Sequence, residues 1–418
     1  RAAKLANGYD LPMLEAVARR AETLKGNHRS YRCTRITLWA LTLLVFAVPS
    51  SAEAYVGPGA GIAFVGSFRM LVRTIKYRHV PKPLIKRFIV VGLDGQDPKL
   101  TDRFMMEGKL PNFAALAKEG CYHPLRTTFP SISPVAWSSF STGSHPARHN
   151  IYDFLDRDRR TYLPKLSSVK IGSVDRRLKI GKYRIPLGKP EVRLLRKSKS
   201  FWKVLGEHNI WSTVLRVPIT FPAEEFKGAQ LSAMCVPDLL GTQGTFIFFT
   251  TREGGKDIKE GGIRVHLASN GSGPDHFITE LTGPENDLID GNPLMKIPIV
   301  IDINRATNSA CVSIDGERYT LEPGKLTDWV EIAFKAAPGM KIHGICRMLV
   351  TEMDEHFGLY ITPISFDPEK PAMPVSHPSY YSTYLAKKIG KFSTLGLAED
   401  TWALNEGVID EEAFLQQT

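Results

Sequence analysis

Cysteine is scarce in this chain: five among 418 residues, Cys33, Cys121, Cys235, Cys311 and Cys346, with no pair at C-x-x-C spacing. That excludes a zinc-finger scaffold, which needs ligands paired a few residues apart. An oxidising compartment would permit the four beyond Cys33 to pair, and their spacing leaves the partners open. Long apolar runs are lacking too. The run 36–48 is thirteen residues, short of the ~20 that span a bilayer, so a polytopic membrane protein is excluded. No internal repeat or low-complexity tract is visible, which removes solenoids and collagen. What is present is globular material: 43% hydrophobic and 23% charged residues, enough for a core, in a length that allows two to three domains at ~150 residues each.

Charge is uneven. The chain carries 54 Lys and Arg against 43 Asp and Glu, a surplus of +11. Residues 156–203 hold sixteen basic and four acidic side chains, so this stretch alone accounts for the excess. Such a run is commonly a solvated face; it also suits phosphates of a ligand or an anionic lipid surface. Aromatic residues are not interleaved as a single-strand binder requires, which disfavours nucleic acid. The partners expected are an anionic phosphate-ester substrate and a membrane surface reached through 156–203.

The first residue is Arg1, and 1–35 reads as an upstream segment that need not be native. Arg32 and Arg35, the apolar run 36–48, Pro49 and the small residues around Glu53 have the three parts of a secretory signal. Residues 36–54 are therefore expected to be a signal peptide or anchor, 55–85 a linker, and the location extracytoplasmic, periplasmic or membrane-anchored.

Beyond that linker the period changes. Residues 88–93 are an uninterrupted apolar run and predict a strand buried on both faces, as in parallel sheets. Helices are predicted over 100–106, 111–119, 134–140 and 201–207, with strands at 212–217 and 231–236. This alternation predicts a doubly wound α/β core over 86–240. From 245 to 365 the pattern becomes short strands, at 297–303, 311–314, 330–334, 345–350 and 358–361. Asp315-Gly316 sits as a two-residue hairpin turn before a strand at 317–321. We read this as an inserted all-β subdomain, followed over 366–418 by a proline-rich linker and a return to the core, with helices at 379–385 and 411–415.

Two positions invite chemistry. Asp94 follows the first strand, at the sheet edge where α/β folds place ligands, and a carboxylate there suits a hard or borderline cation. The alternative is an ordinary Asp-Gly turn. Ser133 precedes Pro134, so it is placed as the N-cap of a helix, its hydroxyl beside the amides that favour an anion. The alternative is a plain capping serine; a nucleophilic serine needs a base or a metal.

Val91-Gly92-Leu93-Asp94-Gly95, Leu110-Pro111-Asn112-Phe113, Ser133-Pro134-Val135-Ala136-Trp137, Thr142-Gly143, Pro146 and His149 together resemble the type I phosphodiesterase/nucleotide pyrophosphatase family of the alkaline phosphatase superfamily. The likeness continues through Phe201-Trp202 and residues 217–222. It implies an alkaline-phosphatase-like fold and two divalent metal ions, usually zinc. It also implies a metal-binding aspartate at Asp94 and a Ser or Thr nucleophile that forms a covalent phosphoryl intermediate. Counting back nine residues from Thr142 lands on Ser133; matching a Thr-Phe-Pro triplet selects Thr128 instead. Ser133 is preferred as nucleophile and metal contact, because the interval keeps it on the helix turn. Phe154 stands where nucleotide-cleaving members carry an Asn, so nucleotide specificity does not transfer.

The family's downstream Asp-x-x-x-His and Ser-Asp-His-Gly ligand segments are missing, and the core reads as truncated, its remaining ligands expected beyond residue 418. Asp275-His276 follows a Gly-rich turn and is read as part of it. Residues 121–126 carry one residue too many for the sulfatase Cys-x-Pro-x-Arg element. His149 is read as a structural histidine, since Pro146 separates it from His145. The expectation is a metal-dependent phosphoric ester hydrolase, with residues 1–418 alone incomplete and inactive. Its rivals are a phosphotransferase onto a lipid or glycan and a non-catalytic envelope binding protein.

Overall fold

The computed structural model describes residues 87–418, except 173, 175, 189, 255–257, 269–272, 397–398 and 418. The chain divides into two units, Arg1–Leu84 and Ile85–Thr418. The expectations for 1–35, 36–54 and 55–85, and for Cys33, lie outside the described residues. No helix among the described residues is long and apolar enough to cross a membrane.

The architecture is mixed α and β. Helix Pro98–Met106 starts where the Asp97 carboxylate accepts from the amides of Lys99 and Leu100, a side-chain cap on otherwise orphaned donors. Helix Pro111–Glu119 opens on proline and closes at Gly120, as the sequence predicts. Strands Ser212–Val217 and Gly228–Ser232 pair in parallel, and Ser376–His377 adds antiparallel on the far side of the second.

The remaining sheets hold the core. His276–Glu285, Leu294–Asn304, Ser309–Ile314 and Glu317–Leu321 form an antiparallel meander. In its longest strand Met295, Ile297, Ile299, Ile301 and Ile303 are buried in strict alternation, the period of two that places one face inward. Asp315 and Gly316 both take positive φ, +48° and +90°, the hairpin geometry that the predicted turn demands. Phe246–Thr250 and Phe357–Ile361 are buried throughout. Ile247, Phe249, Leu359 and Ile361 face the main core, while Phe246, Phe248 and Tyr360 pack with Ala403, Ile409 and Ala413 near the C-terminal helices. Each such buried side chain contributes roughly 1.5–3 kcal/mol.

Several expectations need correction. Residues 88–93 form no strand, and Phe88 is 81% exposed: no described strand offers them a ladder, so the apolar run is left without partners. Over 86–240 the doubly wound sheet is correspondingly reduced, among the described residues, to the parallel pair Ser212–Val217 and Gly228–Ser232; a second parallel pair, Phe246–Thr250 with Gly262–His266, lies beyond it. The strand predicted at 231–236 is Gly228–Ser232; beyond it Met234 and Cys235 turn into positive φ and leave the ladder. The four described cysteines are all free.

Candidate active site

The helix Ser133–Thr142 begins one residue earlier than predicted. Ile132 is the N-cap, and its carbonyl accepts from both Val135 and Ala136. Ser133 is the first helical residue, and no side-chain cap bond is made. Its hydroxyl is therefore free of the capping role and donates instead to Asp94, at 3.1 Å from Oδ1 and 3.1 Å from Oδ2. The same shift weakens the anion site expected at this helix start. Pro134 has no N–H, and the next two amides already serve Ile132.

Trp137, one turn along, completes the arrangement. Its indole Nε1–H donates to Asp94 Oδ1 at 3.0 Å. Positions 133 and 137 share a helix face at i, i+4, so one face delivers both donors to one carboxylate. Gly92 makes this possible: a Cβ there would lie 2.4 Å from Trp137 Cη2. Gly95, at φ +65°, then turns the chain away. Behind Trp137 runs a file of edge-to-face rings, Trp137 to Phe140 at 5.7 Å, Phe140 to Phe201 at 5.8 Å and Phe201 to Trp202 at 5.0 Å. Trp202 is buried, and its Nε1–H donates to Glu224 Oε2, which also accepts from Ser200 and from the buried Arg196. Burial pushes the Arg196 guanidinium pKa down, against the opposing pull of Glu224.

The other candidates lie elsewhere. Thr128 donates its hydroxyl to the Pro130 carbonyl at 2.9 Å, a local turn contact. His149 is fully buried. Its Nδ1 accepts from the Ile151 amide at 3.2 Å, so Nε2 carries the proton and donates to Ser139 Oγ at 2.9 Å. Burial, with Arg196 and then His145 nearby, lowers its pKa to about 4. Asp275 pairs with Arg305 at 2.8 Å and His276 with Asp302 at 2.6 Å, so the two neighbours engage different partners.

Asp238 escaped the sequence reading. It is buried, and its carboxylate accepts from the Thr242 amide at 2.7 Å, the Thr242 hydroxyl at 2.6 Å and the Thr245 amide at 2.8 Å. The segment reads Asp-Leu-Leu-Gly-Thr, with threonine rather than histidine four residues on, which hid it; the loop already satisfies this carboxylate. Among the described residues no group of three or more His, Cys, Asp or Glu side chains gathers to hold a metal ion. A two-ion centre needs about six donors. Asp94 is the single carboxylate at the Ser133 hydroxyl, so the described donor set does not fit such a centre.

Residues 88–235 match the family model for type I phosphodiesterase / nucleotide pyrophosphatase, a stretch that includes Asp94 and Ser133. No curated protein and no solved structure matches the chain.

Proposed function

We propose that this protein is a phosphoric ester hydrolase of the phosphodiesterase type, with Ser133 as nucleophile and Asp94 as the carboxylate that orients it. The observation that carries this reading is the Ser133 hydroxyl held 3.1 Å from both Asp94 oxygens, within the segment similar to phosphodiesterases and pyrophosphatases. Serine alone is a weak nucleophile and needs a neighbouring acceptor for its proton. In the proposed step Ser133 Oγ bonds to phosphorus, its proton passes to Asp94, and the ester P–O bond breaks. The leaving alkoxide takes a proton from solvent. Water then attacks phosphorus of the serine-bound ester, breaking the Ser133 Oγ–P bond; a diester substrate leaves as its phosphate monoester and a monoester as phosphate, the serine hydroxyl is restored, and Asp94 returns its proton to solvent. Members of this family are generally metal-dependent; the described residues do not supply that donor set, so these steps use only the chain's own groups. An extracytoplasmic location belongs to the same proposal.

The incomplete donor set favours a second reading, a non-catalytic binding protein. The two separate in one assay of the full chain on aryl phosphodiester and monoester, with divalent cations supplied. On the hydrolase reading Ser133→Ala lowers turnover at least about a thousandfold, while Thr128→Ala stays near wild type. A Ser133→Ala protein that keeps its full rate removes Ser133 from the mechanism, and an inert wild-type chain supports the binder. Product analysis with an acceptor alcohol present separates hydrolysis from transfer.

A further inference from the structure

The hairpin of Arg177–Ile180 and Tyr183–Pro186 is inverted in polarity. Its register pairs Leu178 with Ile185 and Ile180 with Tyr183, and on the opposite face Lys179 with Arg184 and Arg177 with Pro186. The charged face reaches back to the molecule through ion pairs, with Arg177 and Arg184 half-buried and Lys179 exposed. Arg177 pairs with Asp287 at 3.1 Å, and Lys179 and Arg184 both pair with Asp290, at 2.5 and 3.1 Å. The Arg184 amide donates to the Leu288 carbonyl. The apolar face points outward instead: Leu178, Ile180, Ile185 and Leu187 are between 44% and 60% exposed. A half-buried hairpin in a soluble domain normally does the reverse.

We infer that this outward face docks on an anionic lipid surface. The charge around it selects that occupant. Arg176 stands at the open end of the hairpin and Lys182 in its turn, both exposed, and neither has a carboxylate at ion-pair distance among the described residues. Lys182 Nζ lies 5.5 Å from the Tyr183 ring centroid, an aromatic and a cation together at the edge of an apolar strip. Lipid supplies both halves of this complement, acyl chains for the strip and phosphates for its cationic ends. A second copy docked face to face would bring Arg176 and Lys182 against their own kind. The turn 158–163 repeats the composition, with Tyr162 and Leu163 exposed beside Arg159 and Arg160.

Hydrogen exchange on the full chain tests this without reading hydrolysis, so its outcome is independent of the proposed activity. Peptides covering 176–187 are expected to gain protection when vesicles of phosphatidylglycerol in phosphatidylcholine are added, and to gain none with phosphatidylcholine alone. Ile180→Ser, at an exposed position that leaves the fold intact, is expected to weaken vesicle association of this segment about tenfold, and Lys182→Gln about fivefold. Protection unchanged by Ile180→Ser, or protein bound to vesicles elsewhere with 176–187 still exchanging freely, overturns the inference. Protection that grows with protein concentration and needs no lipid assigns the face to a second copy and overturns it too.

Discussion

A fully buried imidazole with its Nδ1 committed to the Ile151 amide has no room for a second ring proton, and this makes His149 a source of acid sensitivity. Burial holds its pKa in the folded chain at about 4, against an ordinary 6.5. Between those values the unfolded chain binds a proton that the folded one refuses, so stability rises with pH across the window. The contribution is complete above about pH 6.5, declines as pH falls toward 4, and is constant below that. Its ceiling is about 3 kcal/mol at 1.36 kcal/mol per unit. Urea midpoints measured from pH 7.5 down to 4 are expected to fall, and to fall less in His149→Gln, which removes the titrating ring. An equal slope in both proteins assigns the acid sensitivity to other groups.

At the scale of elements, the helix Ser133–Thr142 is fastened to the 88–94 stretch through one aromatic ring lying on a glycine. Gly92→Ala places a methyl 2.4 Å from Trp137 Cη2, and the indole must move off Asp94. The expected result is loss of the shifted, hydrogen-bonded indole N–H resonance of Trp137 and a fall in any Ser133-dependent turnover. Global stability changes by no more than about 1–3 kcal/mol, the cost of overpacking. An unchanged indole resonance contradicts the geometry. This contact also marks where the sequence was legible and where it was not. Within Leu294–Asn304 the strand predicted at 297–303 was readable because a two-residue alternation states which face is inside. The apolar run 88–93 states only that burial is favourable, and a strand also needs neighbours for its amides. The helix start slipped by one residue because Ile132, with no capping side chain, offers its carbonyl where Ser133 had the better side chain. The meeting of Asp94 and Ser133, thirty-nine residues apart, was accessible through family spacing alone. Trp137 as the second donor depends on a close approach that composition does not encode.

For the molecule as a whole, the question that separates a working two-ion enzyme from the described chain is thermodynamic. A ligand that binds only the folded state adds RT ln(1 + [L]/Kd) to stability, about 4 kcal/mol when it is present at a thousand times its Kd. A complete structural or catalytic zinc site would be saturated far beyond that point at ~0.1 mM zinc, and at 2–4 °C per kcal/mol would raise the melting temperature by roughly 10 °C. The described residues bring one carboxylate to Ser133 and no cluster of three donors anywhere. A lone exposed carboxylate holds a divalent ion no better than about millimolar, and the same expression then gives about 0.1 kcal/mol or less. Calorimetry of the full chain with zinc, and after chelation, is therefore expected to give melting temperatures within about 1 °C of each other. A rise of several degrees would mean that residues outside those described complete a donor set, around Asp94 or elsewhere. Asp94→Asn distinguishes the two, because it abolishes the rise only if the ion sits at this carboxylate.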